Sequence, residues 1–304
     1  MAWRIPDAER RNTRRGRVPC ACALHLVSCP LHRRLTRDAR CSAARVQDAA
    51  TANILMIVTS AGQMPNGHAT GLWLEEFAVP YATLREAGHE VLVASPKGGD
   101  TPIDAHSAGE AGQHPEWEEA AKRLQQAHPL EGLLADDFDA VFIPGGHGTM
   151  FDFPNNPVLG ALLADFHAQG KPIASVCHGP AAFVGVTRSD GRPLVEGYTL
   201  TAFSDEEERQ VGLPDAVPFL LSTRLGELGA EVENGAPMLS HVRQDRQLIT
   251  GQNPASSRAA AERLVQALEA GTGARRPSAP TASLGVAGPM FGVHPDRSAG
   301  PPQR

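Results

Sequence analysis

Short apolar, β-branched runs recur along this chain, and segments with helical spacing separate them. Asn53–Ser60 (Asn-Ile-Leu-Met-Ile-Val-Thr-Ser), Val91–Ser95, Asp139–Ile143, Pro172–Val176 and Gln247–Thr250 are brief and apolar nearly throughout. Such runs read as strands of a parallel sheet buried on both faces. Between them the pattern predicts helices over Thr70–Ala87, Glu116–Ala127, Pro157–Gln169 and Val217–Leu228, and a last one from Asn253 to about Ala270. Gly88 and Gly170 stand where helices stop. A polar loop over 96–115 and a short strand over Tyr198–Ala202 complete the series. This alternation predicts an α/β fold: a mostly parallel central sheet with helices on both faces. Ligands of such sheets bind outside the carboxyl ends of the strands.

The ends of the chain do not share this pattern. The net charge of −6 conceals a basic segment on an acidic body. Residues 1–50 carry eleven Arg, no Lys and four acids (Asp7, Glu9, Asp38, Asp48), about +7, which leaves −13 for the remainder. The segment reads as a disordered Arg-rich extension, consistent with a start codon assigned too far upstream. Its leader is too long and too acidic for a secretory signal, and the acids also count against a transit peptide. Cys20, Cys22, Cys29 and Cys41 lie here near His25 and His32, but their spacing fits no paired zinc pattern. Charge alone is a weak argument for nucleic-acid binding through this segment. From Gly271 on, Pro, Gly, Ala and Arg without periodicity read as a second disordered tail. The expected folded domain is therefore 51–270. No apolar run approaches the ~18–20 residues that span a bilayer.

The most informative stretch is Lys171–Phe183. It gives a buried strand, then Cys177, then at once His178-Gly179-Pro180 and a helix-forming Ala-Ala-Phe. Pro180 suits a first helical position. A cysteine at such a junction is lifted out of the sheet as in a nucleophile elbow, whose central residue is usually strained. The positive end of a following helix would favour the thiolate. The plainer reading is a buried structural cysteine.

A thiolate nucleophile needs a base and a place for negative oxygen. His178 can fold back toward Cys177, and a carboxylate from Asp205-Glu-Glu-Glu208 can fix its tautomer. Without such a role, that acidic run is a solvated helix start behind Ser204 as N-cap. Gly145-Gly146, at the end of the third strand, allow close backbone approach, or simply a tight turn. In the first helix, Leu72, Glu76, Val79 and Thr83 share one mostly apolar stripe, so Glu76 rather than Glu75 is the buried candidate, unless both lie on a solvated face. Burial would raise its pKa toward use as a proton carrier. Pro80 clashes with the carbonyl of Glu76 and predicts a local kink there. His68, Trp73 and His147 have no spacing that marks them as ligands, and no metal site is expected.

Together these segments resemble the ThiJ/PfpI superfamily, with its class I glutamine-amidotransferase-like fold, and within it the glutathione-independent glyoxalase III and holding-chaperone branch. The resemblance rests on Thr70–Tyr81, Ala94–Gly99, Val141–Gly148, Val176–Pro180, Thr201–Glu208 and Leu248–Ser256, in family order. It implies a nucleophile at Cys177, its histidine at His178, the triad acid at Glu208 (with Glu206 and Glu207 one slip away) and the buried glutamate at Glu76. It places the oxyanion-binding amides at Gly146 and His178, with Gly145 in the same loop. Asp104-Ala-His-Ser107 departs from the usual Asp-Pro-x-Ser and looks peripheral. No late His-x-Glu pair is present, which disfavours glutamine hydrolysis. The implied activity converts methylglyoxal or a related 2-oxoaldehyde to a 2-hydroxy acid without glutathione or another cofactor. The implied setting is a cytoplasmic homodimer. A deglycase or other cysteine hydrolase of the same fold is the enzymatic rival; a redox-sensing or holding-chaperone protein is the rival of another class.

Overall fold

The computed structural model describes residues 51–111 and 114–272. The Arg-rich segment, its four cysteines and all but the first two residues of the expected C-terminal tail lie outside them. The first strand, β1 (Asn53–Ile57), leads through an extended loop into α1 (Leu74–Glu86), and β2 (Glu90–Ser95) returns parallel to β1. Next come α2 (Ala105–Ala111), α3 (Glu118–Arg123) and the two-residue strand β3 (His128–Pro129). β4 (Ala140–Ile143) is followed by α4 (Thr149–Asp152) and α5 (Pro157–Ala168), and β5 (Ile173–Val176) carries the chain to Cys177. β6 (Thr199–Leu200), α6 (Asp205–Val211), α7 (Leu221–Glu227) and β7 (Glu231–Val232) follow. The hairpin of β8 (Val242–Asp245) and β9 (Leu248–Gly251) precedes α8 (Ser257–Thr272).

The main sheet has the order β3-β2-β1-β4-β5-β9-β8, parallel except for the antiparallel edge pair β8–β9. β6 and β7 form a separate two-stranded sheet. Alternate residues along each strand feed two cores. Leu55, Ile57, Val141, Ile143 and Ile173 pack with Leu159, Leu163 and Phe166 of α5 and with Phe183. Ile54, Met56, Phe142, Ala174 and Val176 pack with Phe77 and Leu84 of α1 and Ala260 and Leu264 of α8. This two-sided burial explains the uniformly apolar strands.

Several boundaries differ from expectation. α1 starts at Leu74, four residues late, because residues 70–73 pair as extended chain: Leu72 N–H donates to Pro102 O and Trp73 N–H to Gly145 O. Pro80 lies inside α1 without ending it, although it has no N–H for the Glu76 carbonyl. The loop over 96–115 contains α2. The helix expected over Glu116–Ala127 is shortened to α3 between two 3-10 turns. β8 was not expected; its arginine and aspartate disguise an edge strand with one partner.

Candidate active site

β5 ends at Val176 and the chain turns within one residue. Cys177 has φ +58°, a left-handed conformation that costs a non-glycine residue about 1–3 kcal/mol. Its neighbours enforce it: the Cys177 N–H donates to Gly251 O, and the Cys177 carbonyl accepts from Phe203 N, each at 2.9 Å. The strained elbow is therefore present. The helix after it is not an α-helix but a five-residue 3-10 turn, Gly179–Phe183. So short a turn has little dipole to offer, and the thiol is only 4% exposed. Burial pushes the thiol well above its ordinary pKa, Glu76 pushes it further, and the Gly146 N–H works the other way. The expected depression by a helix end is thus overruled by desolvation.

Ionisation of Cys177 depends instead on transfer to its neighbour. His178 Nδ1 lies 3.3 Å from Cys177 Sγ, and His178 Nε2 lies 2.8 Å from Glu208 Oε2. A carboxylate can only accept, so Glu208 holds the Nε2–H tautomer of His178 and leaves the Nδ1 lone pair for the thiol proton. Burial lowers His178 to about 4, the neighbouring His147 adds to this, and Glu208 opposes it. Burial also raises the Glu208 carboxyl, but hydrogen bonds from His147 and His178 outweigh it and hold the group well below the usual carboxylate range.

Helix α6 sets which acid meets His178. Ser204 is its N-cap, in a capping box with Glu207. Glu207 is fully buried and accepts from Ser204 N and Oγ, Met238 N and Asn253 Nδ2, all at 2.8–2.9 Å. It is wholly occupied in pinning α6 to the loop before β8 and to the residues after β9. Glu208, one position on, turns to the histidines.

On the other side of the sulfur stands Glu76, 0% exposed. Its Oε2 accepts from Gly145 N at 2.7 Å, while Oε1 has no nitrogen or oxygen partner. Burial raises its pKa to about 8, partly offset by hydrogen bonds from Cys177 and Gly145. Glu76 is thus a neutral acid at neutral pH, facing the thiol. The Gly145 amide, in the loop expected to bind the oxyanion, is committed to Glu76 and serves positioning. A side chain at 145 would place its Cβ 2.6 Å from His178 N and 2.8 Å from Glu76 Oε2. Gly146 has φ +94°, and a Cβ there would collide with the Gly71 carbonyl and Trp73 N. Among the described residues the Gly146 and His178 N–H groups donate to no backbone oxygen; the Gly146 N–H points at the Cys177 sulfur, so both face the place where an oxyanion on the thiol adduct would form.

Two features were misjudged in the sequence. Asp104–Ser107 is not peripheral: Ser107 Oγ accepts from Leu74 N at 3.0 Å and donates to Asp104 O, fixing the start of the helix that carries Glu76. His147 was passed over for lack of ligand spacing, yet its Nε2 is 2.8 Å from Glu208 Oε1 and its ring lies against that of His178, tilted by 40° with centroids 4.1 Å apart. The signal was its place directly after Gly145-Gly146 at a strand end, on the same crevice as Cys177. His147, His178 and Glu208 offer ligand atoms within 4.8 Å of one another, a donor set of the kind that takes zinc. Here those atoms are paired with each other.

The DJ-1/PfpI family model matches residues 69–203. Glutathione-independent glyoxalase hsp3101 of Schizosaccharomyces pombe is 32% identical over 218 residues, covering 66% of this chain and 89% of the relative. The structure of Rapid Encystment Protein 24 KDa of Francisella tularensis shares 34% identity at a TM-score of 0.68, over 72% of this chain and 99% of that one. Glyoxalase III of Candida albicans shares 28% at a TM-score of 0.65, over 71% and 97%. By sequence, sheet order and the elbow after β5, this chain belongs to the DJ-1/PfpI family.

Proposed function

We propose that the protein converts methylglyoxal or a related 2-oxoaldehyde to the 2-hydroxy acid, without glutathione, by covalent catalysis at Cys177. One observation carries this reading: a buried thiol stands between a histidine–carboxylate pair that can take its proton and a neutral glutamate that can give one. Cys177 Sγ passes its proton to His178 Nδ1, and Glu208 stabilises the imidazolium. The thiolate adds to the aldehyde carbon, and the resulting oxyanion rests on the Gly146 and His178 amides. Glu76 and His178 move a proton from that carbon to the adjacent one through an enediol, leaving a thioester of the 2-hydroxy acid. Water then cleaves the thioester and frees Cys177. The relatives named as glyoxalases point the same way.

The test is lactate formation from methylglyoxal without glutathione, by wild type beside Cys177→Ala and Glu76→Gln. We expect Cys177→Ala to make none and Glu76→Gln to lose at least ~10²-fold in kcat. Full lactate production by Cys177→Ala would sink the mechanism, and no lactate from folded wild type would move the thiol to another electrophile. Among the described residues no helix is long and apolar enough to cross a membrane. A cytoplasmic homodimer is the family expectation, to be tested by cell fractionation and by sedimentation of the purified chain.

A further inference from the structure

Two N–H groups stabilise an oxyanion only when both point at one place and stand the right distance apart. Here they come from different parts of the chain: Gly146 follows β4 and His178 follows β5. The direction of each N–H is fixed from the far side of its own peptide. Gly145 O, across the peptide from the Gly146 N–H, accepts from Trp73 N at 3.3 Å. Cys177 O, across from the His178 N–H, accepts from Phe203 N at 2.9 Å. Those bonds run to the N-cap of α1 and to the segment before α6, so neither joins one amide to the other.

Thr149, the first residue of α4, is fully buried. Its hydroxyl donates toward Gly146 O at 2.9 Å and toward His178 O at 3.0 Å. A hydroxyl has one proton, so the two carbonyls share it. The bond to Gly146, three residues back, is the local kind that threonine commonly makes. The bond to His178 crosses 29 residues of chain. Neither carbonyl needs the hydroxyl for its own satisfaction: Gly146 O also accepts from Thr149 N at 3.2 Å, and His178 O from Ala181 N at 3.0 Å. Among the described residues, Thr149 is the side chain hydrogen-bonded to both residues that supply the oxyanion amides.

We propose that Thr149 is a positioning residue of this reaction: its hydroxyl ties the Gly146 loop to the Cys177 elbow and sets the spacing of the two oxyanion amides. This role rests on the covalent chemistry proposed above and extends to any carbonyl carbon that Cys177 attacks. Thr149 acts through the two backbones and touches no reacting atom.

The experiment compares wild type with Thr149→Val, which keeps the shape and removes the hydroxyl, and Thr149→Ser, which keeps the hydroxyl. In lactate formation from methylglyoxal, kcat of Thr149→Val should fall about 10–10²-fold with KM within about twofold, and Thr149→Ser should stay within about threefold of wild type. A second measurement does not depend on the glyoxalase reading. Cys177 is acetylated by p-nitrophenyl acetate and, separately, alkylated by iodoacetamide, each in a single turnover followed on the Cys177 peptide by mass spectrometry. Acetylation passes through a tetrahedral oxyanion, expels p-nitrophenolate and leaves a thioester. Alkylation displaces iodide from a saturated carbon and forms no oxyanion. Both start from the thiolate, so the ratio of their rates cancels any change in ionisation. That ratio should fall about 10–10²-fold in Thr149→Val and hold in Thr149→Ser. An unchanged ratio in Thr149→Val would overturn the proposal. So would an equal fall in Thr149→Ser, since that marks packing of the methyl group. Thr149→Ala is read in the same way if the valine protein does not fold. If wild type makes no lactate while the ratio behaves as expected, the glyoxalase reading falls and the role of Thr149 stands. Lactate from wild type with an unchanged ratio removes only the role of Thr149.

Discussion

A thiol 4% exposed to water does not ionise alone, and at Cys177 each neighbour alters the balance in its own direction. Glu76 is the clearest case, because its carboxyl is neutral when folded up to about pH 8 but ionises near 4.5 when unfolded. The native state therefore binds more protons than the unfolded state between those values. Glu76 then contributes stability that is full below about pH 4.5 and lost as pH rises through about 8. Glu76→Gln removes the titration. Its melting temperature should gain on wild type progressively from pH 5 to 8 and then run parallel, as followed by thermal denaturation across pH. A constant offset would mean that Glu76 is already ionised in the fold. Burial of Glu76 could be read from its place on an apolar stripe, and Cys177 from the strand that ends beneath it. The thiol's raised pKa could not, since desolvation depends on what packs around the sulfur from β4, β5 and α1. Nor could His147, whose partner Glu208 is 61 residues away.

At the scale of elements, α6 is the part that aims the carboxylate paired with His178. Its capping box sets the first turn, and Glu208 follows one residue after Glu207. Ser204→Ala should lower unfolding free energy by about 1 kcal/mol in urea and reduce kcat with little change in KM. Glu207→Gln puts an amide N–H where four donors converge, and should cost about 1–3 kcal/mol together with activity. Wild-type kcat in both variants would show that α6 is held in place by other contacts. The N-cap at Ser204 was legible because the serine stands directly before four acids, Asp205 to Glu208. Element existence was likewise legible where an apolar run is buried on both sides. Boundaries were less so: α1 begins late because strand-like pairing of Leu72 with Ile103 captures residues that would otherwise extend the helix. That competition is tertiary and leaves no local trace.

For the whole molecule, every residue of the site and both apolar cores lie within 51–272. A chain limited to those residues should fold and keep the full kcat, checked by circular dichroism and by the lactate assay; loss of either would assign a working role to the flanking segments. The sheet order also fixes when the site can exist. β5, which bears the elbow, lies between β4, made earlier, and β9, made near the end of the chain. The Cys177 N–H is bonded to Gly251, and the acid that completes the histidine pair arrives only with residue 208. During synthesis at roughly 5–20 residues per second, Cys177 therefore spends several seconds outside the ribosome before its strand is flanked on both sides. A nascent chain carries an ordinary, solvated cysteine through that interval. Under the proposed function, the reactive aldehydes that the finished protein consumes can instead modify it, so they would be most damaging to the copies still being made.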